Sequence, residues 1–247
     1  PALTGSMSDF ITADGITAVY SRAAGEAVGN YAISATLSPG AALSNYNITY
    51  NTANFEITKA TIKVVAGSNS RVYGDANPTF TGTIEGVVSG DDIEVTYTTA
   101  ATAASVVGEY DIEPSLSGEA LSNYHVEKTN GVLSITKASL SAVANDKARI
   151  YGLANPVLDG VLTGVKNNDP ITASYSTTAD ASSNVGEYPI TVALNDPDGK
   201  LPNYEVSTTN GTLTISQAPA TITLGELSKV YNGAAQGAEV TTTPSGL

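Results

Sequence analysis

The segment ITKATIKVV (residues 57–65) decides the fold, because it returns as ITKASLSAV (135–143) and more loosely as ISQAPATIT (215–223). Between these segments, RVYGDANP (71–78) returns as RIYGLANP (149–156). Tyr151 follows Tyr73 by 78 residues. A period of this length that contains strand-like segments indicates one small domain copied in tandem.

Two further motifs fix the repeat boundaries. VGEYDI at 107 has copies at 185 and 28, and LSNYHV at 121 has copies at 201 and 43. These motifs predict two complete repeats, a partial first repeat that lacks its first strand, and the start of a further repeat. The predicted ranges are 1–59, 60–137, 138–217 and 218–247.

The patterned segments predict an all-β chain. They are rich in Thr, Val, Ile and Tyr, which suit a half-buried pleated surface, and apolar residues alternate with polar ones. Short strands separated by Gly, Asn and Asp clusters are typical of small Ig-like or β-sandwich-type domains. For the third repeat we predict strands at 139–144, 157–163, 171–176, 186–193, 204–208 and 211–216.

Asn-Gly pairs at 130–131 and 210–211 predict tight hairpin turns, because Asn-Gly favours the turn that joins two adjacent antiparallel strands. In the first repeat Asn54 is followed by Phe55, so a different turn is expected there.

The connections between repeats contain no flexible linker. After Gly131, the segment 131–144 contains no Gly, Pro or polar cluster, and extended residues rise about 3.3 Å each, so it could span roughly 45 Å. This segment lacks the composition of a flexible linker. We therefore expect the repeats to be arranged end to end as an elongated rod. Pro219 interrupts the third connection and predicts a break there.

Composition excludes several functions. The net charge of −13 is unfavourable for contact with nucleic acid or anionic lipid, which both need clustered Lys and Arg. The chain has no cysteine, so it forms neither disulfides nor thiolate metal sites. No apolar run is long enough for membrane insertion of this segment, and no leader-like start is present.

The repeated tyrosines are the most conspicuous candidate sites. For Tyr73-Gly74 and Tyr151-Gly152 we favour a structural role, in which Tyr closes the core, its hydroxyl bonds backbone, and Gly supplies an unusual φ. An exposed ligand platform is the alternative. The same structural role, with Tyr at a sheet corner bonded to a neighbouring loop, is expected for the tyrosines of the Gly-Glu-Tyr and Asn-Tyr motifs: Tyr110, Tyr188, Tyr46, Tyr124 and Tyr204.

Metal binding and catalysis have little support. The acidic turns are the only conceivable calcium sites, but they lack the regular spacing of a calcium loop: Asp91, Asp92, Asp169, Asp196 and Asp198. The single histidine, His125, is expected to face solvent on a strand. With one histidine and no cysteine the nucleophile systems that depend on them are unsupported, so we predict no catalytic, cofactor or metal site and no enzyme activity.

The order of these motifs, from the Tyr-Gly segments through VGEY and LSNY to NGxLxITKA, resembles the bacterial MBG repeat of the YGX type. This resemblance implies long arrays in large adhesin-like proteins of the bacterial cell surface, without established catalytic residues. It favours an extracellular structural stalk that extends a binding tip, with neighbouring repeats as partners and, in the case of a filament, identical chains as well. Alternatively, the repeats themselves bind glycan, ice or another cell; only the Thr-rich segments 97–100 and 175–178 point that way.

Overall fold

Alternation of buried and exposed residues creates the strands. In ASLSAVA, Ala138–Ala144, every second side chain is buried and those between them reach solvent. Successive side chains of an extended strand point to opposite faces, so this pattern places one face in a core. The computed structural model describes residues 2–243, and it confirms the predicted all-β fold of tandem β-sandwich repeats.

The first repeat forms one antiparallel sheet, in which the middle strand pairs with both others. No described residue before Ala60 is fully buried. The strands, in the order β1-β2-β3, are β1 (Thr17–Arg22), β2 (Gly29–Ser38) and β3 (Ala53–Ile57), accompanied by a 3-10 turn at Thr12–Asp14 and the helical turn α1 (Gly40–Leu43).

The second repeat contains two sheets, with strand orders β6-β4-β9 and β5-β10-β8-β7. A 3-10 turn at Glu119–Asn123 leads into β9. The strands are β4 (Ala60–Ala66), β5 (Asn69–Val72), β6 (Gly82–Glu85), β7 (Glu94–Thr98), β8 (Gly108–Ser117), β9 (Tyr124–Thr129) and β10 (Gly131–Thr136).

The third repeat has the same arrangement, with strand orders β13-β11-β16 and β12-β17-β15-β14. In each complete repeat the first strand pairs in parallel with a later one, as Leu140 does with Val206. The strands are β11 (Ala138–Ala144), β12 (Lys147–Ile150), β13 (Gly160–Thr163), β14 (Thr172–Thr177), β15 (Gly186–Asn195), β16 (Tyr204–Thr209) and β17 (Gly211–Ser216), with a 3-10 turn at Leu201–Asn203.

Each complete repeat buries apolar side chains from both of its sheets. In the second repeat Ile62 and Val64 of β4 pack with Tyr97 of β7. In the third, Ala144 of β11 packs with Ile190 and Leu213 from the other sheet. Contact between opposing faces makes each complete repeat a β-sandwich.

The structure contradicts the predicted Asn-Gly hairpins. The strands on either side of Gly131, β9 and β10, belong to different sheets, and the same holds for β16 and β17 around Gly211. Glycine is required for close packing instead, since a Cβ on Gly131 would collide with the carbonyl oxygens of Ala66 and Gly67. The segment therefore crosses between the sheets of the sandwich.

The structure also adds one strand per repeat to the predicted set. A separate four-residue strand, β5 or β12, precedes each Tyr-Gly pair and lies in the sheet opposite to β4 or β11. The first strand ends before this added strand, at Ala66 or at Ala144, and the end at Ala144 agrees with the predicted strand 139–144.

The connections between repeats are short, as predicted. Only Lys137 separates β10 from β11, and two residues separate β3 from β4. The described part of the fourth repeat is an antiparallel pair, β18 (Thr221–Gly225) and β19 (Glu239–Thr243). Four residues that include Pro219 separate it from β17, in accordance with the predicted break.

The chain divides into two compact units, whose boundary does not follow the repeat boundary. Unit 1 comprises the described part of residues 1–70 together with 78–101 and 109–134. Unit 2 comprises 71–77, 102–108 and the described part of 135–247. The Tyr-Gly loop of the second repeat therefore belongs to the same compact unit as the third repeat.

Candidate interface between repeats

A buried arginine organises the Tyr-Gly loop of the second repeat. Arg71 donates from Nε to Asn77 Oδ1 at 2.7 Å, and its terminal nitrogens bond the carbonyl oxygens of Val72 and Thr102. Arginine has five donors in a fixed planar fork, which suits it to hold several carbonyl groups at once. We call this loop, residues 71–77 with 102–108, the tip of the second repeat.

The third repeat contains the same network. Arg149 Nε donates to Asn155 Oδ1 at 2.7 Å, and its terminal nitrogens bond the carbonyl oxygens of Ile150 and Asp180. The Arg and Asn of the repeated R-x-Y-G-x-x-N-P motif thus stabilise the conformation of the tip in both complete repeats. We define the tip of the third repeat as residues 149–155 with 180–186.

A tyrosine and an aspartate organise a second part of each repeat, which we call its base. In the third repeat Tyr204 Oη donates to Asp169 Oδ2 at 2.6 Å and accepts the Lys166 N–H at 2.9 Å. The base of the second repeat has Tyr124, Asp91 and the Val88 N–H in the same roles. The base of the first repeat has Tyr46, Asp14 and the Ile11 N–H.

The electrostatic environment keeps these phenols protonated. Burial, followed by the hydrogen bond to Asp169, raises the pKa of Tyr204 well above its ordinary value of 10.0. The hydrogen bonds to Asp91 and Asp14 raise the pKa values of Tyr124 and Tyr46 in the same direction. A carboxylate that accepts a hydrogen bond from a phenol stabilises its neutral form.

Inside unit 2 the tip of the second repeat contacts the base of the third. Tyr73 Oη donates to Asp169 Oδ2 at 3.1 Å, so one carboxylate accepts hydrogen bonds from two tyrosines. The rings of Tyr73 and Tyr204 pack edge to face with centroids 5.5 Å apart. Tyr73 is only 1% exposed. We call this set of contacts the joint.

Three polar contacts surround the joint. Lys166 Nζ lies 3.0 Å from Asp75 Oδ1, and Asn167 donates to the Ala103 carbonyl at 3.1 Å. The Val107 N–H donates to Asn203 Oδ1 at 3.0 Å. Within unit 1, the Val28 N–H donates to Asn123 Oδ1 at 2.9 Å, so this last contact recurs one repeat earlier.

Gly74 permits the close approach at the joint. A Cβ at this position would lie 2.5 Å from Lys166 Cβ, and φ of Gly74 is +84°. Gly152 has nearly the same φ, +82°, but no atom lies within 4 Å of the position that a Cβ would occupy. Both glycines supply the left-handed conformation that the sequence predicts for this turn.

Most of the structural roles predicted for the tyrosines hold. Each Asn-Tyr tyrosine bonds the turn before it, and Tyr188 of Gly-Glu-Tyr donates to the Asn184 carbonyl at 3.0 Å. Two details are wrong: the Tyr73 hydroxyl bonds a carboxylate where backbone was expected, and Tyr151 is 44% exposed and closes no core.

Sequence reasoning missed Asp169 and Lys166 as joint residues. Asp169 was considered only as a turn residue or a calcium ligand. Its recurrence as Asp91, 78 residues earlier, was the available signal, because the two aspartates precede the tyrosine of an Asn-Tyr motif by similar distances of 33 and 35 residues.

The acidic residues considered for calcium lie in different settings. Asp91 and Asp169 accept hydrogen bonds from tyrosine hydroxyls. Asp196 instead accepts the backbone N–H groups of Lys200 and Leu201. These hydrogen bonds, that of Leu201 first, lower the pKa of Asp196. Asp92 lines a cleft of about 470 Å³ in unit 1 with Glu94 and Glu119. Within residues 2–243 no three His, Cys, Asp or Glu side chains group in a way that could hold a metal ion.

The remaining predicted position, His125, is exposed on β9, as expected. Among the helices that the structure describes, none has the length and hydropathy needed to cross a bilayer.

The fold and the joint define a class of protein: an array of small β-sandwich repeats with contacting neighbours. The family model of the MBG domain (YGX type) matches residues 1–56, 62–134 and 140–214, and that of the MBG domain matches 220–247. The chain belongs to the MBG domain (YGX type) family. This membership indicates an adhesin-like repeat protein of the surface or extracellular kind, a class that is not typically enzymatic.

A comparison with curated proteins finds no match. Among solved structures, the chain is similar to the crystal structure of Drosophila N-cadherin EC1-3. The identity is 8%, the match covers 76% of this chain and 77% of that chain, and the TM-score is 0.22.

Proposed function

We propose that this chain is part of the structural stalk of a large bacterial extracellular adhesin or surface filament, and that it extends a binding tip away from the cell. The observation that carries the proposal is the joint inside unit 2. There a buried tyrosine and charged and amide side chains of neighbouring repeats meet across a connection of one residue, Lys137.

The energetics of the joint support stiffness. Burying a tyrosine contributes about 2–3 kcal/mol, and hydrogen bonds to a charged group add roughly 1.5–3 kcal/mol each. A rearrangement that separates the residues of the joint must expose Tyr73 and break its bond to Asp169, so the arrangement that keeps these contacts is favoured. In this proposal the partners of each repeat are its neighbours in the chain.

The composition is compatible with a location at the bacterial cell surface. A net charge of −13 disfavours self-association, and a cysteine-free domain does not depend on the redox state of its surroundings. The small core of a repeat of about 78 residues gains stability from contact with its neighbours, as in other repeat arrays.

Small-angle X-ray scattering on the 247-residue chain tests the stalk. We expect an elongated particle with one narrow set of conformations, which Tyr73→Ala broadens and Tyr151→Ala does not. A compact profile, or one typical of freely jointed domains in the unsubstituted chain, would refute the proposal.

One observation favours ligand binding by the repeats themselves. At the end of the edge strand β7, Thr98 and the following Thr99 line a cleft of about 370 Å³ with Tyr110 and Glu113. A groove beside Thr and Tyr side chains offers hydroxyls to a glycan, to ice or to another cell surface. Retention of the chain on a glycan array or in an ice-affinity assay, abolished by Thr98→Lys, is the expected result of this alternative.

A further inference from the structure

Two positions at the joint differ between the complete repeats in a matched way. The residue after Tyr-Gly in the tip is Asp75 in the second repeat and Leu153 in the third. The residue that opens the base turn is Val88 in the second repeat and Lys166 in the third. In the joint of unit 2 these positions face each other, and Asp75 meets Lys166.

The backbone geometry shows that the positions are equivalent. The Asp75 N–H donates to the Val72 carbonyl at 3.1 Å, and the Leu153 N–H donates to that of Ile150 at 3.2 Å. The N–H groups of Val88 and Lys166 each donate to the base tyrosine at 2.9 Å. Each side chain therefore starts from the same place in its tip or base.

The tip of the third repeat has a docking surface of different chemistry. Leu153 is 55% exposed beside Tyr151 and Ile150, which are also exposed. A base with lysine would desolvate its ammonium group against Leu153 without a partner, whereas a base with valine would bury both apolar side chains. Val88, 54% exposed, shows that such bases occur in this chain.

We propose that the residue after Tyr-Gly and the residue that opens the base turn form a matched pair that selects which repeat can follow which. Asp requires Lys, and Leu requires an apolar residue such as Val. The tip of the third repeat therefore accepts a base with an apolar residue at this position, and it rejects one with lysine. Selection by unfavourable mismatches is common at specific interfaces. This inference goes beyond the stalk function and does not depend on it.

A set of four full-length chains tests the pairing: the unsubstituted chain, Asp75→Leu, Lys166→Val, and the double variant. The double variant recreates at the described joint the combination assigned to Leu153 and a valine base. Each new residue already occupies the equivalent position of another repeat, so the local turns tolerate it.

Hydrogen exchange at the Val107 amide is the readout, because this N–H donates across the joint to Asn203 Oδ1. A half-exposed ion pair of this kind affects an equilibrium by up to about five-fold. We expect each single variant to accelerate exchange at Val107 roughly three- to five-fold, and the double variant to return within about two-fold of the unsubstituted chain. Single variants without effect, or a double variant as fast as the singles, would overturn the proposal.

Two controls keep the result interpretable. The exposed pair Lys63 and Glu127, changed to Val and Leu, removes the same charges away from the joint and should leave exchange at Val107 unaltered. A valine at position 166 is branched at Cβ and could crowd Gly74. In that case Lys166→Met, which is unbranched at Cβ like lysine, is used in place of Lys166→Val. Unaltered exchange in β15 and β17 shows that the sandwich stays folded. The exchange experiment can refute the matched pair while small-angle scattering still supports a stalk, so the two proposals are tested separately.

Discussion

The tips of the second and third repeats have nearly the same sequence but different surroundings. Both contain a buried arginine bound to an asparagine, and both turn through a glycine with φ near +80°. Tyr73 is nevertheless buried and bonded to Asp169, whereas Tyr151 is 44% exposed. The tip is thus built by its own repeat, and the environment of its tyrosine is provided by another.

This difference separates two contributions to stability. The arginine network stabilises the loop in each repeat, whether or not a neighbour is in contact. The tyrosine stabilises the array only where a base meets it. Equivalent substitutions in the two tips should therefore match for the arginine and diverge for the tyrosine and the glycine.

The largest difference in stability between equivalent substitutions in the two tips is expected for the tyrosine. Tyr73→Ala should lower the free energy of unfolding by about 3–4 kcal/mol, because it removes a buried aromatic side chain. Tyr151→Ala should cost less than about 1 kcal/mol. Urea unfolding followed by far-ultraviolet circular dichroism measures both, and equal losses would contradict a special role for the joint.

The next largest losses of stability are expected for the arginine variants, and here the losses in the two tips should be equal. Arg71→Lys and Arg149→Lys should each cost about 2 kcal/mol, because lysine cannot hold the asparagine and two carbonyls together and leaves buried acceptors unsatisfied. The same urea unfolding experiment applies. A loss at Arg71 alone would show that its network serves the joint more than the tip.

The glycines should differ by a smaller amount. Gly152→Ala should cost about 1 kcal/mol, because alanine is strained at a positive φ. Gly74→Ala adds a collision with the Lys166 side chain, so a further loss of about 1 kcal/mol is expected. Exchange at the Val107 amide should accelerate only in Gly74→Ala. Equal acceleration in both variants would indicate that backbone strain alone explains the effect.

The smallest effect concerns pH. The pKa of Tyr204 is raised in the folded chain, so its proton stabilises the fold fully below the unfolded pKa of 10.0. Above pH 10 unfolded chains lose this proton while folded chains retain it, so stability falls as pH rises. Tyr204→Phe should reduce this fall. Urea unfolding from about pH 8.5 to about pH 11.5 measures it, a range of roughly 1.5 pH units on either side of where free tyrosine titrates. Tyr151→Phe gives the baseline for losing an exposed hydroxyl, and an unchanged slope in Tyr204→Phe would contradict the assignment.

Sequence patterns predicted most strands because alternation is a local property. Segments such as 138–144 alternate apolar and polar residues in accordance with their burial. The strands NSRV and KARI were missed because they are four residues long and their inward residue is an arginine, whose charge hides the alternation. The Asn-Gly pair misled because its local turn preference does not specify the sheet to which the next strand belongs.

The candidate interface was only half predictable. Recurrence identified Tyr73 and the Asn-Tyr tyrosines as structural residues but misjudged Tyr151, which is exposed. The short connections between repeats were evident from the absence of a linker. The partner of Tyr73, Asp169, is 96 residues away, and its hydrogen bond depends on how two repeats meet. The repeat boundaries and the rod-like arrangement stay predictions.

By itself the sequence determined that the chain is an all-β tandem array, in which both complete repeats contain a Tyr-Gly turn and an Asn-Tyr motif. It could do so because periodicity, strand alternation and glycine conformation are local in the chain. Only the tertiary structure decided that Asn-Gly crosses between sheets and that Asp169 serves two tyrosines. Hydrogen bonds and burial of that kind depend on distances through space, which residue spacing does not fix.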